Sequence, residues 1–250
     1  MFKSIKFFSV LAFVVIVIEI AMRIFEPSPA AFARPAEVIE VLPNFLLIDG
    51  SFGDVWKTLA RALLALVIAI PIGLVVGVAS AKITCVRGEA EFLVDFLRSI
   101  PATALVPLFL VIFGIGDASK VAVGSISGAL AIAISVIVGL RGLNVDREQV
   151  ANTLQIRGIS RVYLYELPEI APAIFVGLRT AASLCLILVV VSEMFIGSEE
   201  GIGRVIMDRR YSDDVPSVYA AIFIAGLIGY AINRVLLSVE KAVKSRIGNS

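Results

Sequence analysis

Hydrophobic positions in this chain fall in long unbroken runs separated by short polar stretches, the pattern of helices that cross a bilayer. Four runs carry no charge: Ala62–Ala81, Ser99–Gly116, Val121–Leu140 and Val215–Asn233, of 20, 18, 20 and 19 residues. Each approaches the roughly 20 apolar residues that a hydrocarbon core requires. A fifth run, Ile170–Gly197, is long enough but contains Arg179 and Glu193. A sixth, Phe7–Ile18, follows Lys3 and Lys6, and with Ala31-Phe32-Ala33 beyond it imitates a cleaved secretory signal. Glu19, Arg23 and Glu26 make that stretch over-long and charged, so an uncleaved first span is expected. The pattern predicts an all-α polytopic membrane protein, one domain over residues 1–250. Its six transmembrane helices lie near 7–22, 58–81, 99–116, 121–140, 173–197 and 215–237.

The longest polar-containing segment after residue 60 is Asn144–Arg179, between two such runs. Val145, Val150 and Leu154 fall near one helical face, with Asp146, Arg147, Glu148 and Asn152 largely off it. Gly158 then interrupts, Ser160 can cap a second short helix over Arg161–Glu166, and Pro168 is expected to stop it. A simple connection needs only about 4–6 residues, so residues 144–170 read as a platform for docking at the membrane face. The competing expectation is an interfacial helix in the headgroups, held by Arg157 and Arg161.

Composition sharpens this picture. At 59% hydrophobic and 17% charged, the chain stands well away from the soluble average of about 45–50% and 25%. A net charge of +1 gives no field for nucleic acid. Without histidine the commonest metal ligand and general base is missing, and Cys85 and Cys185 form no zinc or disulfide pattern, so no metal site is expected. No GxxxxGK[ST] cradle for nucleotide phosphates and no GxSxG elbow occur. Gly114-Ile115-Gly116-Asp117 spells the GxGD of intramembrane aspartyl proteases, but the companion Tyr-Asp and Pro-Ala-Leu signatures are absent, which leaves Asp117 as a turn or cap residue. The GxxxG patterns at Gly73–Gly77 and Gly124–Gly128 predict close helix packing, and Pro71, Pro101 and Pro107 predict local breaks. Glu89–Arg98 reads as an amphipathic helix lying on the inner face. With the N-terminus inside, fourteen of the 22 Lys and Arg residues fall on the inner side, which places both termini and the platform in the cytoplasm.

The platform carries a family resemblance. From Gln149 to Pro168 it resembles the EAA loop of ABC importer permeases: Ala151, Leu167 and Pro168 match, while Gln149 stands for Glu, Val150 for Ala and Gln155 for Gly. The resemblance continues through Gly177-Leu178-Arg179, Ser192-Glu193-Met194 and Gly201-Ile202-Gly203. It runs backwards to Arg98-Ser99-Ile100-Pro101, Phe113-Gly114-Ile115-Gly116 and Ser119-Lys120. In this order the segments resemble the sulfonate, nitrate, taurine and bicarbonate branch, over roughly Pro35 to Asn233. The resemblance implies a type I ABC importer permease fold and a transporter subunit that is not itself an enzyme. It binds no cofactor of its own; ATP and Mg belong to the partner ATPase. The implied partners are a cytoplasmic ABC ATPase dimer, an extracytoplasmic solute-binding protein and a second permease copy, as a homodimer in the bacterial inner membrane. Gln149, Val150, Ala151, Leu154, Gln155, Gly158, Leu167 and Pro168 would then couple to the ATPase, with the bend expected at Gly158 because Gln155 replaces the family's Gly. Pro101, Ser192, Glu193 and Met194 are the candidates for the path or gate. Glu193 stands about 21 Å along the helix from Arg179, which can itself reach the headgroups, and an acid at that depth should face the bundle or a wet path. A shifted helix end reaching water is the alternative. A secondary transporter or channel is the competing functional class, and an intramembrane protease the remote one.

Overall fold

Small residues decide where the centre of this molecule lies. In the computed structural model, which describes residues 2–25, 28, 31–47, 51–82, 87–143, 149, 153–156, 158–195 and 197–247, helix α3 (Ser51–Lys82) packs against α6 (Asp117–Arg141), and α6 against α8 (Leu167–Phe195). Gly73 lies against Ala129 and Ile132 of α6, and Gly77 against Val136, so closely that an added Cβ would overlap them. That is the close approach for which GxxxG is suited. Ala65, Ala69, Ile132, Val136, Ala181 and Cys185 fill the seam. Cys185 is enclosed there, its Sγ donating to Gly124 O at 3.3 Å, while Cys85 lies outside the described residues.

The remaining elements surround this trio. They are α1 (Phe2–Phe25), α2 (Pro35–Leu47), α4 (Arg87–Ser99), a 3-10 turn (Ala102–Leu105), α5 (Val106–Phe113), α7 (Gly158–Arg161), α9 (Ile202–Tyr211) and α10 (Val215–Ile247). Helices α2, α9 and α10 share a second core of Phe45, Ile202, Val205, Ile206, Ala221 and Ile224. Helix α2 begins on local chemistry: Pro35 takes the first helical position, and Glu37 reaches back to accept the Arg34 backbone N–H at 2.9 Å and its guanidinium at 2.6 Å. Glu19 of α1 accepts the Ala36 N–H at 3.2 Å, which joins α1 to the same start.

Four described helices are long and apolar enough to cross a membrane: α3, α6, α8 and α10. The chain breaks at the start of the expected span at 99–116, where Pro101 predicts a local break. Residues Phe92–Ser99 and Ala102–Phe113 are bent by 83°, a broken span or re-entrant pair. Pro101 supplies the reason, because its ring disfavours helical geometry at Ile100 and it cannot donate to the preceding turn. The expected first span falls on α1, a single helix of 24 residues whose Phe13, Ile16, Val17 and Ile20 are exposed, as suits a lipid-facing surface. Helices α2 and α9 lie between the expected spans, in stretches to which the sequence reading assigned no element.

A correction concerns Pro168. It does not stop a helix. Between α7 and α8 the backbone passes through a π-helical turn, Val162–Glu166, in which Leu167 N–H bonds Val162 O five residues back. This widened turn shifts the carbonyls that a proline ring would strike and makes its missing N–H tolerable, so helical backbone runs unbroken from Gly158 to Phe195.

Candidate functional site

Glu193 sits near the end of α8 with 1% of its surface exposed. A carboxylate so enclosed needs partners, and two elements, α3 and α9, supply them. Asp54, Thr58 and Arg61 recur at i, i+4 and i+7 and so form one stripe of α3. Thr58 Oγ1 donates to the Glu193 carboxylate, at 2.8 Å to Oε2, and Arg61 Nη1 donates to Oε1 at 2.7 Å. The third donor is the Gly203 N–H, 3.0 Å from Oε2. Ile202 N–H donates to Thr58 Oγ1 at 2.8 Å and Gly201 N–H to Asp54 Oδ1 at 2.6 Å. The start of α9, with its unspent amides and partial positive charge, is thus folded down onto Glu193 and its neighbours.

Only glycine fits this lid at its closest points. Gly201 has φ 127°, and a Cβ there would strike the Glu193 carboxylate; one on Gly203 would strike Val190 O. Arg61 completes the knot by serving several groups: Nε is 2.8 Å and Nη2 2.7 Å from Asp117 Oδ1, and Nη1 also donates to Glu200 O at 2.7 Å. Asp117, the first residue of α6, is thus held in an ion pair, and Gly116 takes the cap position. Lys120, 2% exposed, donates to Gly116 O at 3.0 Å.

Glu193 thus faces the bundle, as expected, and does not reach water. Its neighbours diverge. Ser192 is fully enclosed, with no hydrogen bond to its hydroxyl among the described residues, and Met194 packs against the α2–α9–α10 core. Pro101 is elsewhere: with Arg98, Ser127, Ser135, Thr180 and Leu184 it lines a cavity of about 480 Å³ between the bend, α6 and α8. Thr180 precedes Glu193 by thirteen residues, about 20 Å of helix. The sequence-derived path candidates therefore form two separate sites.

At the other end of α8 stands a second ionic cluster. Glu166, almost fully buried, pairs with Lys82 at the end of α3 and with Arg161 at 3.3 Å. From Arg61 to Lys82 the helix rises about 32 Å, close to a hydrocarbon core of about 30 Å, so the two clusters bracket a bilayer slab. Arg179 does not extend toward headgroups as anticipated; it pairs with Glu240 of α10 at 2.6 Å, and Lys244 shares that carboxylate at 2.7 Å.

Of the platform residues, Val150 and Ala151 lie outside the described residues, as do 144–148, 152 and 157. Leu154 is 66% exposed, a large apolar side chain presented outward. Gln155 has φ 53° and Gly158 φ 62°. The expected transfer of the bend from 155 to 158 is therefore a correction: both adopt the left-handed conformation, and at Gln155 the non-glycine residue bears its cost. Gln149, at the head of the segment, is described and exposed; Leu167 and Pro168 lie at the base, on α8.

The sequence reading assigned no role to Arg61, Thr58 or Asp54. An acid inside an apolar run requires a cationic partner, but Arg61 stands just before the charge-free run of α3, where an arginine is ordinary, so the sequence did not say which cation that partner is.

Comparison with known proteins places the fold and the sequence together. The family model described as "Binding-protein-dependent transport system inner membrane component" matches residues 69–249. An ABC transporter permease protein of Methanocaldococcus jannaschii is 30% identical over 227 residues, covering 88% of this chain and 84% of the relative. The taurine transport system permease protein TauC of Escherichia coli is 27% identical over 222 residues, covering 86% and 79%. A solved chain of the MetNI methionine ABC transporter, in an inward-facing conformation, superposes with a TM-score of 0.69 at 19% identity. It covers 77% of this chain and 95% of that one, a likeness of fold.

Proposed function

The chain belongs to the family of binding-protein-dependent transport system inner membrane components, and is a permease subunit of an ABC importer; from that premise we propose how it works and what it carries. The cargo is a small anion or zwitterion of the sulfonate, taurine, nitrate or bicarbonate kind, in keeping with the taurine permease among its relatives. An extracytoplasmic solute-binding protein delivers it, a cytoplasmic ATPase dimer drives it, and two copies of this chain form the path. Both termini and the platform face the cytoplasm.

The observation that carries this reading is the unbroken helical backbone from Gly158 to Phe195. Its foot is the platform, where Leu154 offers an apolar contact to a partner groove. Lys82–Glu166 ties that foot to α3, and the Glu193–Arg61–Asp117 knot ties the far ends of α8, α3 and α6. A push delivered at the platform therefore moves the three helices as one body. The cavity at the Pro101 bend, bordered by that body on one side and by the end of α4 and the 3-10 turn on the other, would change shape. ATP at one end and the loaded binding protein at the other bias one two-state element.

Extraction of the tagged chain in mild detergent, followed by identification of what co-purifies, tests the assembly. An ATPase and a solute-binding protein are expected. Recovery of the chain alone, with solute flux across liposomes that needs no ATP, would overturn the proposal.

A further inference from the structure

Between α8 and α10 runs a groove of about 350 Å³, walled by Leu186, Ile187 and Val190 on one side and by Ala225, Gly226 and Gly229 on the other. Small residues open it, since a Cβ added to Gly226 would meet nothing within 4 Å. Its one hydroxyl, on Ser183, is spent on Arg179 O at 3.2 Å, so the lining is apolar. Beside the groove α10 presents one exposed stripe of Phe223, Leu227, Tyr230, Arg234 and Lys241, spaced i, i+4, i+7, i+11 and i+18. The stripe turns from apolar to cationic at Tyr230 and Arg234, where the charge-free run of α10 ends and where aromatic and basic residues mark a membrane interface. Past that point the cations outnumber their acids. Glu240 is the only acid after Asp214, against Arg234, Lys241, Lys244 and Arg246, and it is already shared by Arg179 at 2.6 Å and Lys244 at 2.7 Å. Arg234 lies over the Tyr230 ring at 5.8 Å, and neither it nor Lys241 makes an ion pair among the described residues.

We propose that this face binds one anionic phospholipid, with an acyl chain in the α8–α10 groove and the phosphate at Arg234 and Lys241. Gly226 stands about 12 Å along α10 from Arg234, on the apolar side, so a chain hanging from a headgroup at Arg234 passes along the groove. The headgroup must be an anion because two basic side chains meet it with no free carboxylate in competition, and basic pockets beside spans are suited to such lipids. A second copy fits less well: two chains meeting through this face about a twofold axis would set their Arg234 and Lys241 against each other. The bound lipid fastens α10 to α8. This binding needs only the membrane placement of the two helices and not the import reading.

The full chain in detergent is titrated with phosphatidylglycerol, or with phosphatidylcholine of the same acyl chains, while bound lipid is counted by native mass spectrometry and the thermal midpoint is followed. One phosphatidylglycerol per chain and a raised midpoint are expected, with phosphatidylcholine weaker by about tenfold or more. Arg234→Gln and Lys241→Gln, both at exposed positions, should each weaken phosphatidylglycerol by about fivefold, as for one cation lost beside an anionic lipid. Gly226→Leu keeps every charge but fills the groove, and should weaken it as well; the open space at Gly226 lets this variant fold. Glycerol 3-phosphate, a headgroup without a chain, should not displace the lipid. Equal binding of the two lipids, unchanged affinity in the Gln variants or in Gly226→Leu, or displacement by glycerol 3-phosphate would sink the proposal. So would a photoreactive group at position 226 that labelled α1 of a second copy instead of lipid. No ATPase is needed for this titration, so its failure and a failure of the co-purification are told apart.

Discussion

At the scale of single residues, Arg61 matters more than the acid it serves. Its side chain is 7% exposed and meets two carboxylates and a backbone carbonyl. Removing one partner of a buried ion pair costs about 3–5 kcal/mol, because the other charge is left uncompensated. Arg61→Gln should therefore lower the thermal midpoint sharply and reduce the yield of folded protein. Glu193→Gln should be milder, since the amide oxygen still accepts from Thr58 and Gly203, whereas Glu193→Leu strands all three donors. A melting series in detergent that ranked Glu193→Gln as badly as Arg61→Gln would contradict this division of roles. Gly201→Ala adds an independent check, as its φ of 127° and the adjacent carboxylate both exclude a side chain. Glu193 could be singled out from the sequence because an acid in an apolar run is costly wherever it sits. Arg61 could not, because an arginine flanking a span is ordinary, and only the packed α3–α8–α9 geometry shows which way it points.

At the scale of elements, the platform turn is the place to test strain. Gln155 adopts φ 53° at the position where the family carries glycine. An L-residue there costs about 1–2 kcal/mol, so Gln155→Gly should stabilise the segment by about 1 kcal/mol, seen as slower proteolysis or amide exchange at residues 153–161. Gly158→Val should do the reverse and impair coupling, since φ 62° is worst for a β-branched residue. Helix α2 offers a pH test outside the spans. The backbone N–H and guanidinium of Arg34 hold the Glu37 carboxyl below its usual range. A depressed acid contributes stability that is present above its unfolded pKa and lost as pH falls through the lowered folded value. Amide protection at the start of α2 should therefore hold at neutral pH and fall in acid, and Glu37→Gln should abolish that dependence. Protection that fell instead as pH rose would reverse the sign. The sequence foretold long spans well because charge-free runs need no tertiary information. It foretold the Pro168 junction wrongly, since a π turn is set by packing between Val162 and Leu167 and leaves no periodicity to read.

At the scale of the whole molecule, three spans are joined into one body by ionic clusters about 32 Å apart, with a cavity at the Pro101 bend beside them. The proposed entry point for force into this body is the platform at Leu154. Its most direct test is Leu154→Asp in the complete transporter reconstituted in liposomes, with ATP hydrolysis and ATP-driven uptake measured on the same preparation. The side chain is exposed and outside every span, so insertion and folding should be unaffected. Hydrolysis should continue while uptake falls to background; full ATP-dependent uptake by the variant would rule out Leu154 as the point where force enters.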